Sequence, residues 1–435
     1  MTLGAVLMLG SVTGGRGDEL SGVVGPASAG TNFPSFDDFA LPTLPENWSD
    51  LPVRLTASQS VAYNSNIFGV ANGFVLPAGE AHGDFVSTTQ FSLSTKPYWY
   101  GQQFFFDGSF GEIRYLHQVD FNSDTYNVEA GVNWTFSSRC SGALTALASK
   151  SPTTVTTQVV TTTQIGLGVN NLTTTSFNET ANCAFGNGYS AVFNSGETRL
   201  SNSNPVDALN NSRATMVAAG IEYTNSLSNL TALATITDSD FSNRSAATSL
   251  PGLAAISGLS NTFVEHDVSL TYVRIIDPNL SVTGQIGLSG AGTEFTPALP
   301  RTLLPHYSAT IAWVIAPKLS LTASAAKTIA PPTTLVSNSQ LSYTTQFNLS
   351  YQATPKITIA AGASAGYTSA VFSPGLAGTN LATGAQDLYS AQASLTYTMT
   401  PFLVATRTAS YNETVSSHLI TPEDLVTVSL NYKPY

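Results

Sequence analysis

The pentapeptide GASAG at residues 362–366 sets Ser364 at the spacing of a hydrolase nucleophile elbow, and Asp387 and His418 follow in the chain order of such a triad. An elbow is a strained turn between a strand and a helix. The residues around Ser364 instead continue a regular alternation of small side chains, so this serine is expected inside a strand, facing a cavity, with no catalytic part. The histidines His82, His117, His266, His306 and His418 fall at no ligand spacing, so neither a metal nor another cofactor is expected. Asn-x-Ser/Thr triplets at Asn133, Asn178, Asn229 and Asn348 reflect a chain rich in Asn, Ser and Thr. There is no phosphate loop and no basic patch for nucleic acid. What remains are charges that act on a solute without bonding to it. Asp107, Glu129, Glu222 and Arg407 are assigned to the polar side of their segments, with Lys433 near one end, and rings of such charges set ion preference in a pore. The formal net charge of −11 leans towards cations or neutral solutes.

The elements that must position these groups alternate with a period of two. Between Leu341 and Gln352 one parity reads Leu, Tyr, Thr, Phe, Leu, Tyr and the other Ser, Thr, Gln, Asn, Ser, Gln, which is a strand with one oily and one wet face. No stretch carries a helical period. A hairpin phrase recurs around Pro278, Pro317, Pro355 and Pro401, at spacings of 39, 38 and 46 residues (317−278, 355−317, 401−355), enough for two strands, a tight turn and a longer loop. Strands are expected near 53–64, 84–95, 102–116, 124–137, 140–151, 172–185, 188–200, 212–225, 229–241, 263–276, 280–291, 303–315, 319–330, 339–353, 356–369, 387–399, 402–414 and 424–435. That is about 18, with 16 to 20 compatible with these boundaries.

Charged residues make up only 10% of the chain, against about 25% in soluble domains, yet no run reaches the 18 or so apolar residues of a membrane helix. A closed barrel in lipid reconciles the two, because every second strand residue faces hydrocarbon and all backbone groups are paired. A soluble sandwich or solenoid is the alternative; a solenoid would hold a fixed period. The expected fold is therefore all-β: a single transmembrane antiparallel up-and-down β-barrel over 53–435. Short turns follow the even strands and longer loops most odd ones, including 152–171, 243–262 and 370–386. Short turns are periplasmic and long loops extracellular in outer-membrane barrels, which puts both chain ends in the periplasm.

Trp134, Tyr223, Tyr272, Trp313, Tyr351, Tyr397 and Tyr432 fall on the oily parity just before a short turn or the C-terminus, as an interfacial girdle in contact with outer-membrane lipid should. Cys140 opens one expected strand and Cys183 closes the next at the same end, so a cross-strand disulfide is expected. Residues 1–17 resemble the apolar core of a signal peptide without a basic start. The RGD triplet Arg16–Asp18 is read as part of that processing region rather than as an adhesion motif. Residues 18–52 form a Pro-rich tail, expected in the periplasm.

Three stretches carry a resemblance: SVAYNSNIF at 60–68, GDFVSTTQFSLST at 83–95 and EIRYLHQVDFNSDTYNVEAGVNWTF at 112–136. They are similar to the first hairpins of the outer-membrane β-barrel porin family of Gram-negative bacteria related to exopolysaccharide-operon barrel proteins. In that family an aromatic-Asx-x-Asn segment ends the first strand and an Asp-Phe pair opens the second. Tyr63, Asn64 and Asn66 match the first, with Asn64 where Asp is common, and Asp84 and Phe85 match the second. The resemblance implies outer-membrane location, recognition of the terminal aromatic Tyr435 by the barrel-assembly machinery, and a role in polysaccharide export, with no motif that maps the last onto a residue. The expected function is a passive porin-like channel for small solutes or polysaccharide, not an enzyme. The rival reading is a surface-binding scaffold acting through its extracellular loops, with a closed lumen.

Overall fold

The computed structural model describes residues 53–67, 82–99, 102–157, 166–203, 208, 211–242, 262–292, 303–330, 339–371, 386–416 and 419–432. The leader, the tail 18–52, His418, Lys433, Tyr435 and nearly all of 243–262 and 370–386 lie outside the described residues.

Strands run in chain order: β1 Val53–Asn64, β2 Asp84–Thr95, β3 Tyr98–Trp99, β4 Gln102–Tyr115, β5 Ser123–Ser137, β6 Cys140–Thr157, β7 Gly166–Gly186, β8 Tyr189–Asn202, β9 Ser212–Thr224, β10 Ser228–Asp240, β11 Thr262–Asp277, β12 Leu280–Gly292, β13 Leu303–Ala316, β14 Leu319–Ala330, β15 Ser339–Thr354, β16 Ile357–Val371, β17 Gln386–Thr400, β18 Leu403–Ser416 and β19 Leu419–Tyr432. Each pairs antiparallel with its chain neighbour, and β19 pairs with both β18 and β1, which closes the sheet. The two-residue β3 pairs only with the first residues of β4, while β2 pairs directly with β4. Eighteen strands therefore make the wall.

Alternation decides which side chains face out. On β11 and β12, Val268 is 64% and Leu288 50% exposed, while their neighbours Ser269 and Ser289 are 5% and 3% exposed. Paired residues share a face, so the apolar parity of every strand joins into one outer surface and the Ser, Thr, Asn and Gln parity into the lumen wall.

The repeated Pro phrase has a structural counterpart. The hairpins turning at 278–279, 317–318, 355–356 and 401–402 each carry a register shift just before the turn, at Ile275/Asp277, Val314/Ala316, Gln352/Thr354 and Thr398/Thr400. A bulge leaves one residue without its ladder partner. The N–H of Val314 donates to the Asn279 carbonyl at 2.7 Å, that of Gln352 to Lys318 at 2.8 Å and that of Thr398 to Lys356 at 2.9 Å. Each turn thus caps the bulged strand of the next hairpin, and identical hairpins stack edge to edge. The turn at 186–188 uses other chemistry: Gly186, Asn187 and Gly188 all have positive φ, at 111°, 54° and 81°, which suits glycine and asparagine.

Two boundaries depart from expectation. The segment 152–171, expected as a loop, is mostly strand: β6 and β7 stay paired to Thr157 and Gly166. Its run of Thr and Val fits a pleated ladder. The last strand starts at Leu419, not at 424, because Pro422 is tolerated within it. Asn66 Nδ2 donates to the Pro422 carbonyl at 2.9 Å, so that edge of residue 422 looks towards β1. The β1 ladder ends at the Asn64–Leu425 pair, and no strand there needs the N–H that proline lacks.

Candidate functional site

The lumen wall is where this chain presents charge to a solute. Asp107 pairs with Glu129 across β4 and β5, and Asp107 also pairs with Ser94, which pairs with Arg54. Two carboxylates directly opposite on one face repel, at a cost of several tenths of a kcal/mol, so this row is not explained by stability. Glu222 also faces the lumen, opposite Ser190 and Thr231, and accepts from the Thr224 hydroxyl at 2.9 Å.

Higher on β11, Asp267 faces in, accepts from the Ser289 hydroxyl at 2.7 Å and contacts the His306 ring. Glu265 lies two positions away on the same face. The other lumen-facing ionisable acidic or basic groups of the described strands are Asp84, Glu423 and Arg54. Carboxylates therefore dominate the wall, and they stand on β2, β4, β5, β9, β11 and β19. From β14 to β18 the described lumen wall carries hydroxyls, amides and small side chains, such as Thr322, Gln346, Asn348, Gln392 and Thr408.

Arg407 does not belong to this wall. It pairs with Leu395 and Val428, which are 48% and 56% exposed on the outer face, so it faces lipid. The alternation of β18 groups Arg407 with Ala405, Ala409 and Tyr411, on the oily parity and not on the polar one expected for it. Arg407 stands two residues beyond Ala405, the partner of Tyr397, and a long guanidinium there can reach the aqueous interface.

Ser364 lies mid-strand in β16, facing the lumen, with its hydroxyl 2.7 Å from that of Ser390. Asp387 sits on the opposite, outer parity, paired with Tyr367 and Val415. Strand geometry therefore keeps these two apart, and the elbow is absent.

The seven girdle aromatics all lie on the outer face. Gly142 faces Trp134, and a Cβ there would meet the indole at 2.4 Å. Tyr223 tilts against Tyr189 with ring centroids 4.9 Å apart. A second girdle was not anticipated. Tyr307, Tyr343, Tyr367, Tyr389, Tyr411 and Tyr63 stand on the same face at the far ends of their strands, Tyr343 tilted against Tyr367 at 6.1 Å and Tyr63 against Phe85 at 5.1 Å. Tyr343 and Tyr351, like Tyr389 and Tyr397, are eight residues apart (351−343, 397−389). That is about 26 Å along a strand, or about 20 Å of height at barrel tilt, close to the apolar band of about 25 Å. The oily-parity tyrosine eight residues before another was the available signal.

Cys140 and Cys183 pair across β6 and β7 and are joined by a disulfide. The segments that carried the resemblance meet the last strand. Asn64 Nδ2 donates to Glu423 at 2.5 Å, and the Asp424 N–H donates to the Ser65 hydroxyl at 2.8 Å. Asp84, 1% exposed, accepts from the backbone N–H of Phe85, His117 and Gln118 at 2.7 to 2.9 Å and contacts the His117 ring at 2.8 Å. These residues form a buried polar clasp at one end of the closing seam. Glu423 was missed, although it is the one acidic residue on the wet parity of β19.

Residues 292–432, about a third of the chain, match the family model described as "Putative beta-barrel porin 2". Among solved structures, the chain is similar in fold to the siderophore receptor PirA from Pseudomonas aeruginosa, at 11% identity and TM-score 0.43, covering 88% of this chain and 80% of that one. It is also similar to OccK2 (OpdF) of Pseudomonas aeruginosa in complex with glucuronate, at 12% identity and TM-score 0.46, covering 89% and 99%. No curated protein matches the chain. The closed wall and the family match describe a porin-like barrel of the outer-membrane type.

Proposed function

Taking the porin-family match over β13 to β19 as the premise, we propose that this protein is a passive channel of a Gram-negative outer membrane, with both chain ends in the periplasm, that passes cations and neutral polar solutes and excludes anions. The observation that carries it is the lumen wall: Asp107 on β4 opposite Glu129 on β5, with Glu222 on β9, Glu265 and Asp267 on β11, and Arg54 as the only lumen-facing Lys or Arg of the described strands. Eighteen strands enclose an aqueous lumen, where about eight would be filled by their own side chains. Fixed carboxylates along such a lumen raise the local cation concentration and repel anions.

The uncharged wall of β14 to β18 supports the finer reading of polysaccharide as cargo. Sugar hydroxyls lose hydrogen bonds to water on entry, and Ser, Thr, Asn and Gln offer both donors and acceptors in return. The direct test is conductance of the refolded protein in a planar bilayer under a salt gradient. Steady steps with a reversal potential of the sign for cation preference are expected. An inserted but silent barrel would overturn the channel and favour a scaffold working through its loops. Competition by a neutral oligosaccharide, seen as transient blocking of open steps, tests the cargo separately.

A further inference from the structure

We propose that the lumen face of β16 is the floor of a binding groove for a neutral, hydroxyl-rich chain, a segment of oligosaccharide. The proposal rests on the reading of polysaccharide as cargo and gives that cargo a place on the wall.

The floor is the stretch that imitates a nucleophile elbow. GASAG sets Gly362, Ser364 and Gly366 on the lumen parity of β16, with Ala360 before them. No side chain larger than serine rises from this face over a span of 6 residues (366−360), about 20 Å of strand. The neighbouring strands stand higher. On β15 Gln346 is opposite Ser364 and Asn348 opposite Gly362, and on β17 Gln392 is opposite Gly362. A Cβ added at Gly362 would meet Asn348 Oδ1 at 2.7 Å and Gln392 Nε2 at 3.1 Å, so both amides lean over the floor from their own banks. The Ser364 hydroxyl is drawn to one bank, 2.7 Å from that of Ser390. At Gly366 the floor is open: a Cβ there would meet nothing closer than the Tyr343 carbonyl oxygen at 3.6 Å and Leu388 at 3.7 Å.

A second, independent observation lies at the head of the groove. The next lumen position on β16 is Thr368, and Ser342 faces it from β15. They are 2% and 7% exposed, and neither hydroxyl has a hydrogen-bond partner. The large majority of buried hydroxyls are paired, and leaving one unpaired destabilises a fold. Two of them on facing positions at the end of one groove point to an occupant whose own polar groups pair them.

The chemistry of the banks selects that occupant. A side-chain amide offers two donors and an acceptor, and a hydroxyl offers both roles, which suits the hydroxyls and ring oxygens of a sugar. Leu388, opposite Gly366, adds an apolar contact for the carbon face of a sugar ring. No Asp, Glu, Lys or Arg faces the lumen on the described residues of β14 to β18, so a charged chain finds no counter-ion in the groove. A peptide added as a strand would need a free sheet edge, and the closed wall has none.

The test is the single-channel current of the refolded full chain in a planar bilayer, with neutral oligosaccharides of glucose, galactose and mannose added in turn. At least one of them is expected to block the open steps transiently. Gly366→Leu fills the floor where there is room for a Cβ, and Thr368→Val removes a hydroxyl that has no partner in the fold. Each should raise the concentration for half-block at least about five-fold, the loss of about one hydrogen bond. Ser176→Leu places the same leucine on the lumen face of β7, opposite Leu147 and Thr198 and half-way round the wall, and should leave that concentration unchanged. Open-channel conductance and reversal potential report the channel alone and should persist in every variant, while heat-shifted gel mobility should show Thr368→Val as stable as the parent or more so. If none of the oligosaccharides blocks the parent channel, the cargo reading falls and the groove with it. If the parent is blocked but Gly366→Leu and Thr368→Val are blocked equally well, or Ser176→Leu weakens the block as much as they do, the groove is overturned and the cargo reading stands.

Discussion

Asp107 and Glu129 show at the level of single residues how function and stability pull apart. Opposed carboxylates repel across a strand pair, so Asp107→Asn with Glu129→Gln is expected to leave the barrel as stable or more stable by up to about 1 kcal/mol. The same pair of changes should lower the cation-to-anion permeability ratio measured from reversal potentials. Arg407 makes the contrasting case. It faces lipid beside the girdle, where an arginine costs about 0–1 kcal/mol and more as depth increases. Arg407→Leu should therefore raise or leave unchanged the unfolding free energy in lipid vesicles and should not move the reversal potential. A shift in ion preference on that change would put the guanidinium in the lumen after all.

Among the elements, the seam between β1 and β19 is the pairing most dependent on side chains. Its register covers Ala57 to Asn64, whereas β1 pairs with β2 from Val53 to Asn64. The clasp of Asn64, Asn66 and Glu423 extends the join past the end of the ladder. Asn64→Ala leaves the buried Glu423 short of a donor, and such a loss costs about 1–3 kcal/mol. The expected result is a lower temperature for the shift from folded to unfolded gel mobility, with unchanged single-channel conductance. At the other end, reducing the Cys140–Cys183 bond releases a loop with a sequence separation of 43, worth on the order of 4 kcal/mol in the chain-entropy model. Urea unfolding with and without reductant measures it; an unchanged midpoint would mean that the β6–β7 ladder already holds the loop.

For the whole molecule, the relevant asymmetry is between two walls and two faces. The lumen carries its carboxylates on one side and neutral hydrogen-bonding groups on the other, so a cation and a sugar need not follow the same path. A neutral oligosaccharide is then expected to reduce cation current only in part. Ion preference should also weaken at high salt, because at 1 M the screening length is about 3 Å, shorter than the distance from the wall to the centre of an eighteen-strand lumen. Reversal potentials taken across a series of mean salt concentrations check this. A preference that persists unchanged at high salt would point to a narrow constriction rather than to a field spread over the wall.

The alternation of side chains by itself determined the strands, a number between 16 and 20, the short turns and the lower girdle, because a period of two is local and each residue states its face; closure of β1 on β19 fixed eighteen. It also states the face of Arg407, as a member of the parity of Ala409 and Tyr411, so its assignment to the polar side is corrected by the pattern itself. Other features depended on register between strands far apart in the chain. That Asp107 meets Glu129, that Glu423 closes on Asn64 and that six tyrosines share one height are properties of the closed sheet. Closure joins residue 64 to residue 423, and no local period encodes a contact across that distance. The length of β6 and β7 was decided in the same way: Thr-rich sequence allows loop or strand, and continued pairing chose strand.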